Sequence, residues 1–154
     1  MTSTRVRALI ESDVPDILKI EYSVFPHSTW TSNSFQTCIR SKSGYAYGIF
    51  LKRKLIGYIV LHVIIPEAHI VNFAVDMEYQ SQGFGQELLS YIFKKLKKLK
   101  IKSIFLEVRV SNAKAISLYK KFNFKPIMIR NKYYKNNNED GVVMALFFNG
   151  LLPK

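Results

Sequence analysis

The junction of two unlike stretches between Ile70 and Lys98 narrows what this chain can fold into. Ile70-Val71-Asn72-Phe73-Ala74-Val75 is an apolar, strand-like run that stops at Asp76, a residue strands avoid. Further on, Leu88, Leu89, Ile92, Phe93 and Leu96 recur at three- and four-residue steps, the period of a helix with one buried face. Between the two lies Gln80-Ser81-Gln82-Gly83-Phe84-Gly85. Strand, glycine loop and helix make an anion-binding layout. Glycine lets the backbone approach a ligand, and the first helical turn offers unpaired N–H groups at the positive end of the helix dipole. The same two glycines would also serve an ordinary turn. The P-loop pattern is absent, and the dinucleotide pattern lacks its third glycine, because Leu88 stands three residues after Gly85.

A chain of 154 residues with 48% hydrophobic and 14% aromatic residues is read as one domain, 1–154, with a real core. The single Cys38 cannot form an internal disulfide, the opening MTSTRVRALIESDVP lacks the apolar core of a signal peptide, and no apolar run approaches 18 residues. A soluble cytoplasmic protein with no membrane partner is therefore expected. The net charge of +12, from 23 Lys and Arg against 11 Asp and Glu, attracts polyanions such as nucleic acid, ribosomes or phosphates.

In chain order, Arg5 to Ile10 reads as a short strand, and Ser12 or Asp13 can cap a helix with Pro15 in its first turn. That helix should end near Phe25-Pro26, because the residue before proline is pushed out of helical geometry. Phe25 to Trp30 is a loop whose aromatics could line a binding groove or plug the core edge. Thr31 or Ser32 caps a second helix through Phe35 and Ile39. Tyr45 to Leu51 and Leu55 to Ile65 form a hairpin around Lys52-Arg53-Lys54, and Pro66-Glu67 turns into the Ile70 strand. The lysines from Lys94 to Lys102 suit a solvated helix end, with a nucleic-acid patch as the weaker reading. Ile104, Leu106, Val108 and Val110 share one strand face, leaving Phe105, Glu107 and Arg109 on the other. Ser111-Asn112 opens a helix that ends at Asn123, an asparagine tolerating the left-handed position. Lys125 to Tyr134 and Gly141 to Phe148 form a last strand pair.

This order resembles the GNAT superfamily of acetyl-CoA-dependent N-acetyltransferases, whose pyrophosphate loop Gln-x-x-Gly-x-Gly matches Gln80 to Gly85. Asn72 to Asp76, Leu106-Glu107-Val108-Arg109-Val110-Ser111-Asn112, Ala115-Ile116-Ser117-Leu118-Tyr119, and Arg130 to Tyr134 with Met144-Ala145-Leu146 look like bacterial ribosomal-protein-alanine and archaeal N-terminal acetyltransferases. Ser81 replaces a basic loop residue common in that family, and Asn123 a common glycine. The resemblance implies an α/β GNAT fold, with a mixed, mostly antiparallel sheet of about seven strands flanked by four helices. It implies a splayed strand in which Phe73, Ala74 and Val75 face the acetyl carbonyl and pantetheine of acetyl-CoA. Gln80, Ser81, Gln82, Gly83, Phe84, Gly85 and Gln86 would hold the pyrophosphate, and Asn112 the CoA arm.

Acetyl transfer from a thioester needs a neutral amine, stabilisation of the carbonyl oxygen and a proton for the departing thiolate. By family position Tyr119 is the candidate acid and touches the cofactor. By pattern alone, sharing a face with Ile116 and Phe122, it suits a core tyrosine. Glu107 is the candidate base, acting directly or through water, or else an exposed carboxylate paired with Arg109. Asn112 also suits a plain helix cap. Neutralising a lysine at pH 7 costs on the order of 3 kcal/mol more than neutralising an α-amine, so a lone carboxylate suits the α-amine better. Tyr133 and Tyr134 match the tyrosine pair that holds a peptide in N-terminal acetyltransferases, and Phe25 and Trp30 are further substrate candidates. The expected partner is a protein N-terminus, ribosomal or nascent. A lysine or small-amine acetyltransferase and a basic RNA-binding module are the alternatives. No metal is expected, since His27, His62 and His69 lack ligand spacing and suit surface or packing roles.

Overall fold

The computed structural model describes residues 3–148. Strands β1 (Thr4–Ala8), β2 (Gly44–Leu51), β3 (Lys54–Ile64) and β4 (Glu67–Val75) pair antiparallel in succession. β5 (Ser103–Arg109) lies parallel to β4, and β6 (Lys125–Tyr134) and β7 (Glu139–Phe147) complete a seven-stranded sheet in the order β1-β2-β3-β4-β5-β7-β6. With α1 (Val14–Val24), α2 (Ser32–Arg40), α3 (Phe84–Lys98) and α4 (Ala113–Lys121), this is the mixed, mostly antiparallel α/β arrangement expected. No helix among the described residues is long and apolar enough to cross a membrane.

β3 is buried without a break from Leu55 to Leu61, as a strand covered on both faces must be. On one face, Ile49, Ile56 and Ile59 pack with Leu88, Leu89 and Ile92 of α3 and Tyr119 of α4. On the other, Leu55, Tyr58 and Val60 pack with Ile17 and Ile20 of α1 and Phe35 of α2.

Most local expectations hold. α1 stops one residue before Phe25-Pro26, and Thr31 caps α2 by accepting the Ser34 N–H at 3.3 Å. Asn123 takes φ 70° after α4. Asp13 sits at the N-cap of α1 but spends its carboxylate on Arg7, at 2.9 and 3.0 Å, and on the Ile10 N–H at 2.8 Å. β1 consequently ends at Ala8 rather than Ile10. Val110 lies beyond β5, 44% exposed, and does not join the inward row of Ile104, Leu106 and Val108.

Two irregularities in β4 separate its C-terminal half from a regular sheet. Opposite β3 the register passes from Val60↔Asn72 to Leu61↔Ile70, which leaves Val71 as a bulge. The bulge reverses the alternation: Ala68 and Ile70 enter the α3-side core, whereas Ala74 enters the α1-side core. Pairing with β5 runs only from Glu67↔Ser103 to Ile70↔Leu106, so beyond Ile70 the two parallel strands stand apart.

Candidate active site

The gap between β4 and β5 is bounded on the α3 side by Phe73, the glycine loop and α4. A Cβ built on Gly85 would lie 3.4 Å from both Phe73 Cζ and Leu118 Cδ2 and 3.6 Å from Val75 Cγ2, so the three elements converge there. The loop before it is tied down. The Gln80 amide donates to the Val75 carbonyl at 2.9 Å and the Gln82 amide to the Glu78 carbonyl at 3.0 Å, across a 3-10 turn at Met77–Tyr79. Ser81 (φ 61°) and Gly83 (φ 91°) are left-handed. α3 then begins without a side-chain cap, and a Cβ at Gly83 would meet nothing within 4 Å. A helix start without a side-chain cap, beside a glycine with open space around it, suits a pyrophosphate.

On the opposite face of the sheet, Glu107 receives the His69 Nε2 at 2.6 Å and faces the Arg130 guanidinium at 3.9 Å. The hydrogen bond to His69 is the main cause that lowers the Glu107 pKa below the ordinary carboxylate range, against desolvation, which raises it. Glu107 is not paired with Arg109. That guanidinium lies 4.1 Å over the Tyr134 ring and donates to Asn136, Asn137 and Glu139 at 2.7, 3.0 and 3.1 Å, fastening the β6–β7 turn. Glu139 also accepts the Ser111 N–H at 2.9 Å.

Tyr119 is 6% exposed, with its ring 5.5 Å from Phe124 and 6.2 Å from Phe73. Burial, with Tyr134 adding to it, raises its phenol pKa. Tyr134 is pushed up to about 12, chiefly by burial. The charge of Glu107 adds to that rise. Its ring is 5.0 Å from that of Tyr133. Asn112 caps α4 through Oδ1, which accepts the Ala115 N–H at 3.2 Å, and this leaves its amide N–H groups for another acceptor. Phe25 and Trp30 pack on the α1-side core, the Trp30 ring 4.8 Å from Phe35, as an aromatic plug would.

The profile of the "Acetyltransferase (GNAT) family" matches residues 12–124. The [ribosomal protein bS18]-alanine N-acetyltransferase of Escherichia coli (strain K12) is 34% identical over 148 residues, covering 92% of this chain and 95% of that protein. The N-alpha-acetyltransferase of Sulfolobus acidocaldarius is 29% identical over 154 residues, 92% of this chain and 90% of that one. The crystal structure of the Escherichia coli ribosomal-protein-S18-alanine N-acetyltransferase superposes with TM-score 0.87 at 29% identity, covering 99% of this chain and 97% of that one.

This chain belongs to the GNAT acetyltransferase family.

It is an acyltransferase, and its relatives support N-acetyltransferase activity. Within this GNAT protein the fold gathers Phe73, Val75, Gly85 and Tyr119 on the α3 side of the gap, and Glu107 and Tyr134 toward its other side. Phe25 and Trp30 lie partly buried against the α1-side core. His69 is the residue that a reading along the chain passes over. It pairs across β4 and β5 with Phe105, whose same-face neighbour two residues on is Glu107. The usable signal was parity: a lone imidazole at that register in an otherwise apolar run.

Proposed function

We propose that this protein uses acetyl-CoA to acetylate the N-terminal α-amine of proteins, by direct transfer in a ternary complex. The supporting observation is that a carboxylate held by His69 on one face of the sheet and a buried tyrosine on the other flank the place where β4 and β5 stop pairing. Acetyl-CoA, when bound, supplies an acetyl thioester. Gln80 to Gln86 would hold its pyrophosphate at the uncapped start of α3. Phe73, Ala74 and Val75 would hold the acetyl carbonyl and pantetheine, and Asn112 the arm.

Glu107 is an anion at neutral pH, because its pKa is lowered, and it fixes the His69 ring through Nε2. It is a weak base on its own, so the ammonium proton reaches the Glu107–His69 pair through water. Tyr119, whose pKa is raised, stays protonated through the neutral range and can give its proton to the leaving thiolate. Tyr133 and Tyr134, with Phe25 and Trp30, would hold the first residues of the substrate. The name of the Escherichia coli relative supports a ribosomal protein beginning with alanine as the first substrate to test, and the proposed setting is the cytoplasm, with residues 1–154 acting as a single domain.

The test is to incubate the purified protein and acetyl-CoA with peptides that differ at residue one, each free and N-blocked, and to locate the acetyl group by mass spectrometry. Acetyl on free α-amines alone is the expected result. Acetyl that survives the N-block would move the substrate to lysine and overturn the proposal.

A further inference from the structure

The β2–β3 hairpin and β1 border an open cavity of about 530 Å³ that no residue of the gap lines. Arg5, Arg7, Lys52 and Arg53 converge on it from segments some 45 residues apart in the chain, and Phe50 also lines it. Arg7 is stacked on Phe50 at 4.1 Å and neutralised by Asp13. Among the described residues no carboxylate lies within 4.0 Å of Arg5, Lys52 or Arg53, which leaves three uncompensated cations on one opening.

The turn that presents two of them is conformationally costly. Leu51 pairs with Lys54, so Lys52 and Arg53 are the two central residues of the hairpin, with φ 48° and 69°. Such a turn favours asparagine followed by glycine, because side chains crowd the backbone at positive φ. Two long cations stand where they weaken the fold, a pattern that points to a role for their charge.

We propose that this cavity docks the phosphate backbone of RNA. A stable protein interface is centred on apolar or aromatic anchors, and the one ring present is capped by Arg7, so the charge of the opening favours a polyanion, with an anionic lipid surface as the alternative that the test separates. Backbone phosphates are held by charge alone, and guanidinium forks match them. With no free ring to stack a base, binding is independent of sequence and falls steeply with salt. The RNA site is independent of which amine is acetylated. It is also distinct from the α3 lysines, where Lys95 lies 5.4 Å over Tyr47 and Lys97 lies 5.4 Å over Phe148.

The test uses the full chain and a fluorescent RNA hairpin of about 20 nucleotides, with anisotropy read between 50 and 200 mM KCl. The variant carries Arg5→Ser, Lys52→Asn and Arg53→Gly, the last two being the residues that the turn prefers, so its melting temperature should not fall. The expected result is at least a tenfold loss of RNA affinity at 100 mM salt and a log K against log salt slope shallower by about 2, with acetyl transfer to a short peptide unchanged. Unaltered binding by this variant would overturn the proposal. So would a loss confined to Lys94→Ser/Lys97→Ser/Lys98→Ser, or binding of phosphatidylserine vesicles or polyglutamate without binding of RNA.

Discussion

Two ionisable side chains at the gap are moved in opposite senses by what surrounds them. Burial keeps the Tyr119 phenol protonated, and the His69 bond keeps Glu107 an anion, so each stands in the protonation state that its proposed role requires, although neither shift strengthens it as an acid or a base. Tyr119→Phe removes only the hydroxyl from a ring packed between Phe73 and Phe124. We expect kcat to fall about 100-fold or more while CoA affinity stays within about twofold, as read by thiol release and by calorimetry. Equal loss of both would remove the acid role. Because the Tyr119 pKa is raised, its deprotonation should produce no alkaline fall in kcat below about pH 10. The helical face of Tyr119 was legible from spacing, whereas the gap beside it was not, since that depends on where a distant strand stops pairing.

Among the elements, the start of α3 carries the sharpest contrast between two neighbouring glycines. Gly83 has φ 91° and open space around it, so Gly83→Ala meets no clash but holds alanine in the left-handed region, at a cost of about 1–2 kcal/mol. Its methyl group would also stand where the pyrophosphate is proposed to lie. The expected outcome is a lower melting temperature together with a loss of CoA affinity of about tenfold, measured by calorimetry. Unchanged affinity would show that the phosphates sit elsewhere. Gly85 is at ordinary contact distance from Phe73 and Leu118 and at no unusual φ, so alanine there should be the milder change. The glycine loop was readable because turns and helix starts depend on residues a few positions apart. The bulge at Val71 was not, because a valine is as good a strand residue paired as unpaired.

Across the whole molecule, the buried Glu21 ties the α1 layer to the sheet. It is 2% exposed and accepts from Asn72 at 2.8 Å and from the Tyr58 and Ser28 hydroxyls, and Ser28 in turn accepts the Trp30 N–H at 3.1 Å. Glu21→Ala would leave Tyr58 and Asn72 unsatisfied in the core. We expect a loss of about 2–5 kcal/mol in urea unfolding, with a smaller loss for Glu21→Gln, which keeps an acceptor. Similar losses for the two variants would mean that packing, not hydrogen bonding, is what Glu21 contributes. The sequence alone determined the order of strands and helices, the capped start of α2, the glycine loop and the family, because periodicity, capping and turn chemistry are local properties of the chain. Tertiary structure alone decided that His69 meets Glu107 across 38 positions, that one bulge turns β4 from one core to the other, and that Arg5 faces Lys52 and Arg53. Each of these rests on which strand lies beside which and in what register, and a single-residue slip in register changes every neighbour without altering any local pattern.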